Sequence, residues 1–163
     1  RAHLFYKISK SWYNKKAAGC CVPCRLKIFM QKFKIYLRTE SEEGAECFSA
    51  DAEARGEEGG TTFLFSGEDG AYRVHIGGSA YIERSGDIAY KLCLTEKASV
   101  CIRTAYGDIY AEVLPESFSA ENRGDQCFLE TVYVLKFPNF SQRHKIIFKA
   151  KACGETAADK DRI

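Results

Sequence analysis

Apolar and polar residues alternate along much of the chain. Tyr72, Val74 and Ile76 alternate with Arg73 and His75, which gives one apolar and one polar face. A period of two residues is that of a β-strand with one buried face. The same period recurs in three further segments: 29–38, 88–94 and 145–152. The pattern therefore predicts strands in all four segments.

A fifth segment, 127–137, is apolar on both faces, which indicates a central strand covered on two sides. Glycines interrupt the chain at short intervals, and short strands separated by turns are typical of sandwiches and barrels. No segment has the period of a long amphipathic helix. We therefore predict an all-β fold, and within that class an antiparallel β-sandwich.

The length of 163 residues corresponds to one domain. A chain of this size buries about 70% of its unfolded surface, which is enough for a core. We place a single β-sandwich domain at residues 1–155 and a polar C-terminal tail at 156–163. No apolar run approaches the length of about 18 residues that a membrane-spanning helix requires, so no transmembrane segment is predicted.

The chain contains eight cysteines. Zinc is one explanation, since Cys21-Val22-Pro23-Cys24 has the spacing of half a site, but no second close pair of Cys or His accompanies it. Stable disulfides form in oxidising compartments, so we predict four disulfides, no bound metal and a secreted protein. The predicted disulfide cysteines are Cys20, Cys21, Cys24, Cys47, Cys93, Cys101, Cys127 and Cys153. The chain begins at Arg1 without a signal peptide, which we interpret as a signal that was either removed during secretion or left out of this sequence.

One disulfide pairing follows from the predicted strands. Segments 88–95 and 100–106 are close enough in sequence to form a hairpin centred near Lys97, which places Cys93 opposite Cys101. Opposite residues of antiparallel strands have Cα atoms about 4.5–5.5 Å apart, a separation that a disulfide can bridge. The other pairings stay open.

Charge is unevenly distributed. Residues 1–38 contain ten Lys and Arg and no acid, whereas residues 39–70 contain ten acids and one base. In one interpretation the basic strands and the acidic segment attract each other or are simply solvated. In the other, a basic face meets an anionic surface such as acidic lipid or sulphated glycan. The candidate residues for that face are Lys27, Lys32, Lys34 and Arg38.

Two short motifs lie between predicted strands. Asn139-Phe140-Ser141 is an N-glycosylation sequon, and we expect a turn that exposes Asn139 while Phe137 and Phe140 pack inward. Arg123-Gly124-Asp125 lies in a polar stretch, where a loop tip would project Arg123 and Asp125 as an integrin-binding motif. Gly and Asp are also common in turns for backbone reasons, so an ordinary turn is the alternative.

A search for catalytic motifs gives no candidate. The sequence has no Gly-x-Ser-x-Gly elbow, no phosphate-binding loop and no His-Glu-x-x-His. Oxidised cysteines would provide no nucleophile. We therefore predict a protein that is not an enzyme and that needs no cofactor.

The N-terminal half resembles a known family. Its motifs are Leu4-Phe5-Tyr6-Lys7-Ile8, Trp12-Tyr13-Asn14-Lys15-Lys16, Gly19-Cys20-Cys21, a Phe-rich basic strand ending at Arg38, Phe63-Leu64-Phe65 and Gly70-Ala71-Tyr72-Arg73-Val74. Over residues 4–76 this order is similar to the N-terminal module of the Delta and Jagged type Notch ligands. Ile35-Tyr36-Leu37 departs from the pattern, because the family has a cysteine in that region. The resemblance implies a C2-like sandwich that contacts a receptor and phospholipid, sometimes with calcium.

These observations predict two alternative functions, both based on binding. The first is an extracellular recognition module of a ligand or adhesion protein, which contacts a protein receptor and membrane lipid. The second is a self-standing secreted effector or structural protein that binds anionic glycan or an integrin. In both cases we expect a location outside the cell or on the extracellular face of its surface, and no nucleic acid partner.

Overall fold

A computed structural model describes residues 30–57 and 59–154, and it contains ten β-strands. They are β1 (Gln31–Ser41), β2 (Gly44–Glu57), β3 (Gly60–Gly67), β4 (Gly70–Gly77), β5 (Ala80–Ser85), β6 (Tyr90–Cys93), β7 (Ala98–Thr104), β8 (Gly107–Asn122), β9 (Gln126–Lys136) and β10 (Ser141–Ala152). The five predicted strands overlap β1, β4, β6, β9 and β10. The predicted tail at 156–163 lies outside the described residues.

All ten strands belong to one antiparallel sheet in the order β6-β5-β4-β3-β2-β1-β10-β9-β8-β7. The sheet curls so that its two outer strands, β6 and β7, approach each other. A single bridge joins them, in which the amides of Ala89 and Arg103 donate to each other's carbonyl oxygens at 3.0 and 2.8 Å. The all-β antiparallel class is therefore confirmed. The sandwich is not confirmed, because one continuous sheet forms a nearly closed barrel.

Alternate residues of each strand point into the barrel, as the sequence period requires. Phe33, Phe63 and Phe148 are almost completely buried, and the Phe63 ring lies 5.2 Å from each of the other two ring centroids. On β1, Phe33, Ile35 and Leu37 face inward while the polar residues between them face solvent, so the predicted phase of this strand is confirmed.

Two features shape the ends of the barrel. Gly70, at the β3–β4 turn, has a φ of +146°, and a Cβ atom there would lie 2.1 Å from the carbonyl oxygen of Ser85 on β5. Only glycine fits this close approach. The second feature is a β-bulge between Pro115 and Ser117, which shifts the β8–β9 register. Beside it, the Thr131 hydroxyl donates a hydrogen bond to the Ser117 carbonyl oxygen at 3.0 Å.

Polar residues are also buried on the outer face of the sheet. The Thr62 hydroxyl donates to Glu57 Oε2 at 2.8 Å and lies 2.9 Å from His75 Nδ1. Since the hydroxyl has one proton, the Thr62 oxygen accepts from Nδ1–H of His75. This bond fixes the His75 tautomer and explains how two polar side chains are buried there.

No helix among residues 30–57 and 59–154 has the length and hydropathy needed to cross a bilayer.

Candidate functional site

The barrel is open at the end that carries the β3–β4 turn, and a cavity of about 790 Å³ extends inward from this opening. We call it the mouth cavity. Its inner wall is made of Leu37, Phe48, Tyr72, Ile82, Arg84, Tyr90 and Ile146. Its volume lies within the range of roughly 300–1,000 Å³ that is typical of small-molecule sites.

Arg84 is the cationic side chain in this wall. Its side chain is 15% exposed, and its Nη2 lies 2.9 Å from Asp69 Oδ2 and 3.1 Å from the Asp69 carbonyl oxygen. Its guanidinium carbon lies 5.8 Å from the centroid of the Tyr72 ring. Its Nε is buried and has no hydrogen-bond partner among the described residues. A buried donor without a partner costs about 1–3 kcal/mol. Since Arg84 lines the cavity, an acceptor oxygen that reached this N–H would remove that cost.

Two tyrosines border Arg84. Burial raises the pKa of Tyr72 to about 12, even though the charge of nearby Arg84 opposes this shift; a hydrogen bond that Tyr72 donates to Asp69 adds to it. Burial also raises the pKa of Tyr90, and again Arg84 opposes the shift. Both phenols therefore stay neutral at physiological pH, where a hydroxyl can donate or accept a hydrogen bond.

A histidine lies beside the mouth cavity. His144 faces inward on β10 and stacks on Tyr133, with 5.4 Å between the ring centroids. Burial lowers the pKa of His144, although the charges of Glu43 and Glu42 act in the opposite direction. Its Nε2 is buried without a partner in the described part of the chain. The neutral imidazole thus provides a second unpaired polar atom at this end of the barrel.

The rim of the mouth cavity is acidic. Glu46 and Glu68 line the opening, and Asp69 neutralises Arg84. Among residues 30–57 and 59–154, no other basic side chain lines this cavity. The opening therefore carries net negative charge, which disfavours the approach of an anion.

A second concave region lies on the outer face of β1, β9 and β10, with a volume of about 750 Å³. We call it the basic groove and define it by Lys34, Tyr36, Arg123, Phe128, Lys149 and Lys151. The strand register forms two rows across it. Lys34 is opposite Lys151, and in the next row Lys149 is flanked by Tyr36 on β1 and Phe128 on β9.

The predicted basic residues lie partly in and partly beside this groove. Lys32, Lys34 and Arg38 are exposed on the outer face of β1, as expected, and Lys27 lies outside the described residues. Lys34 forms an ion pair with Asp51 of β2, and Arg38 forms one with Glu40 at 2.7 Å. Attraction between the basic strand and the acidic segment therefore accounts for part of this surface.

The disulfide framework is not seen. Cys47, Cys93, Cys101, Cys127 and Cys153 are all free, and Cys20, Cys21 and Cys24 lie outside the described residues. The Cys93–Cys101 bond is absent because the hairpin has a different register from the one predicted. The Ala89–Arg103 bridge centres it on Glu96, which puts Ser99 opposite Cys93.

The two loop motifs lie at hairpin turns. Arg123-Gly124-Asp125 forms the exposed turn between β8 and β9, where Gly124 has a φ of +83° and Arg123 pairs with Glu121 at 2.8 Å. Asn139 is exposed between β9 and β10, as predicted. The expectation that Phe140 packs inward was wrong: it is 56% exposed and stacks on Phe137 instead. Glycosylation and integrin binding stay predictions.

Sequence reasoning missed the main residues of the mouth cavity. A signal for them exists, because Arg84 follows Ala80 and Ile82 in the inward phase of β5, and His144 precedes Ile146 and Phe148 in that of β10. A charged or polar residue at a strand position where the alternation places apolar residues indicates a polar site inside the barrel. Among residues 30–57 and 59–154, no group of three His, Cys, Asp or Glu side chains is arranged to hold a metal ion.

Comparison with known proteins identifies the fold and no family. No family model matches the chain, and no curated protein matches it either. Among solved structures, the crystal structure of the ywiB protein from Bacillus subtilis is similar, with a TM-score of 0.66 and 11% sequence identity. The similarity covers 76% of this chain and 93% of that protein. The resemblance to Notch ligands thus has no support from these comparisons and stays a prediction.

Proposed function

We propose that the protein is a binding protein that holds a small amphipathic molecule in the mouth cavity. The observation that carries this proposal is the buried, unpartnered Nε–H of Arg84, which lies in a wall otherwise rich in apolar and aromatic side chains. Leu37, Ile82 and Ile146 would contact the apolar part of the ligand. An acceptor oxygen of the ligand would receive the hydrogen bond from Arg84.

Charge narrows the class of ligand. Asp69 already neutralises Arg84, and Glu46 and Glu68 make the rim acidic. A carboxylate or phosphate would therefore meet repulsion at the opening, and the described lining has no unpaired cation to offset it. We favour a neutral or cationic molecule whose acceptor is a carbonyl, ether or hydroxyl oxygen.

Nile red, a neutral dye with a carbonyl oxygen, provides a direct test. We expect saturable binding with a blue-shifted emission, and weaker binding of the anion 1-anilinonaphthalene-8-sulfonate. Arg84→Lys keeps the charge next to Asp69 but removes the Nε donor, so Nile red affinity should fall about two- to tenfold, the value of one hydrogen bond. Arg73→Lys is the matched control, because Arg73 lies on the outer face and pairs with Glu83 at 3.9 Å.

A second variant covers the case in which Arg84→Lys does not fold. Thr39 is half-buried and lines the opening, so Thr39→Trp should fill the cavity and reduce Nile red binding. Unchanged Nile red affinity in both variants would exclude the mouth cavity as the site. Tighter binding of the anion than of Nile red would exclude the proposed ligand class.

We also keep receptor recognition outside the cell as a second candidate function. The observation that favours it is the placement of Arg123-Gly124-Asp125 at the exposed tip of a tight hairpin. Immobilised protein should support adhesion of integrin-bearing cells, and Asp125→Glu should abolish it. Asp108→Glu is the control, because Asp108 is an exposed acid near another hairpin turn. Equal adhesion to both variants would reject the integrin interpretation.

A further inference from the structure

We propose that the basic groove on the outer face binds a linear glycan that carries sulphate or carboxylate groups. None of the residues that define the groove lines the mouth cavity. Its lysines and aromatic residues occupy the outward-facing positions of β1, β9 and β10. The proposal depends on the charge of the groove, on the order of side chains across it and on the burial of its rings.

The lysine arrangement is costly to the fold. Lys34 and Lys151 are directly opposite in the β1–β10 register, and both are exposed on the outer face. Like charges at such positions destabilise a sheet. Asp51 compensates Lys34, whereas neither Lys149 nor Lys151 has an acidic partner within ion-pair distance in the described part of the chain. The two unpaired lysines are therefore available to an anionic partner.

The rings provide the floor of the groove. Tyr36 and Phe128 flank Lys149 in one row across three adjacent strands, and both are half-buried. The row of Lys34 and Lys151 lies two residues further along the strands, or about 6.6 Å. A linear glycan could place a sugar ring against Tyr36 and Phe128 and its anionic groups beside Lys34 and Lys151, and so contact both rows at once.

Burial of the rings decides between anionic partners. A membrane surface is bound by apolar side chains that protrude into the interface, and Tyr36 and Phe128 do not protrude. Single-stranded nucleic acid stacks successive bases on neighbouring rings, whereas Lys149 lies between Tyr36 and Phe128 in their row and separates the two rings. Glu121 lines the groove and Asp51 pairs with Lys34 beside it, and these acidic side chains disfavour the close approach of a broad anionic surface.

Heparin is the probe for the first experiment. We expect wild-type protein to bind heparin at low salt and to elute as salt rises, because exposed charges are screened. Lys149→Gln with Lys151→Gln should weaken heparin binding about two- to thirtyfold, the value of two exposed charge contacts. The matched control is Lys97→Gln with Lys136→Gln, which removes the same charge from exposed sites outside the groove.

The control variant should elute with the wild type. Equal elution of the two double variants would overturn the proposal, because the binding would then reflect net charge alone. Competition separates the partner classes: tighter binding of a single-stranded oligonucleotide than of heparin, or sedimentation with phosphatidylserine vesicles that heparin does not reverse, would also overturn it. Nile red binding should be unchanged in the groove variant, which shows that the barrel is intact.

Discussion

Arg84 and His144 stand at positions where the strand period places core residues. Each has a buried nitrogen without a partner in the described part of the chain, at the same open end of the barrel. Thr62 and His75, by contrast, are buried polar residues whose hydrogen bonds are formed. We interpret this difference as one between polar residues that the fold itself satisfies and residues whose partner would be the proposed ligand.

His144 should make stability depend on pH below neutrality. Burial lowers its pKa in the folded state below the ordinary value of 6.5, so the unfolded chain binds a proton first as the pH falls. The free energy of unfolding therefore decreases as pH drops through and below about 6.5. His144→Phe keeps a ring beside Tyr133 and should lose less stability between pH 7 and pH 5 than the wild type does. Denaturant unfolding at both pH values measures this, and equal losses would contradict it.

At the scale of elements, the hairpin turns determine the pairing register of neighbouring strands, which the alternation of apolar and polar residues does not determine. The β3–β4 turn is the clearest example, because it brings Gly70 against Ser85 of β5 at the rim of the mouth cavity. Asp69 of the same turn holds Arg84. The turn thus fixes both the strand spacing and the position of the cation.

Gly70→Ala should therefore destabilise this end of the barrel. The new Cβ would lie 2.1 Å from the Ser85 carbonyl oxygen, and the φ of +146° is strained for alanine. We expect a loss of about 1–3 kcal/mol in the free energy of unfolding, together with weaker Nile red binding. Gly78→Ala is the control, because nothing lies within 4 Å of its Cβ position. Equal stability of the two variants would contradict the role given to Gly70.

Local pattern predicted the strands and failed on their assembly, for a physical reason. The alternation of Phe33, Ile35 and Leu37 fixes which face is buried wherever the strand is paired. It does not fix pairing: the β6–β7 register differs by two residues from the predicted hairpin, and a shift of two keeps every side chain on its face. Barrel and sandwich also share the same alternation. Sequence analysis missed Arg84 as a site residue. A single polar residue at an inward-facing strand position does not reveal that its partner, Asp69, lies in the β3–β4 turn.

At the scale of the whole molecule, the barrel has one weak seam. Every neighbouring pair of strands is joined by several residue pairs except β6 and β7, which the Ala89–Arg103 bridge alone joins. β1, in contrast, is paired along most of its length with both β2 and β10. Opening of the barrel should begin at the seam.

Hydrogen exchange followed by mass spectrometry tests where the barrel opens. Peptides covering β6 and β7 should exchange faster than peptides covering β1 and β10, because one edge of each seam strand lacks a partner. The amides of Ala89 and Arg103 are the exceptions that should stay protected. Uniform exchange over all ten strands would mean that the seam is closed in solution.

The pairing of β1 with β10 has a consequence for how the chain folds. Phe33 lies beside Ala152, and the amide of Cys153 donates to the Lys32 carbonyl oxygen at 2.9 Å. The first and last strands in sequence are therefore neighbours in the middle of the sheet. That ladder closes a loop of most of the domain, which is slow to form. A circular permutant that links Gly154 to Met30 and is cut between β6 and β7 would form every ladder between strands consecutive in sequence, and only the single Ala89–Arg103 bridge would join its first and last strands. Its lower contact order should let it fold faster than the natural arrangement, with the same barrel as the product.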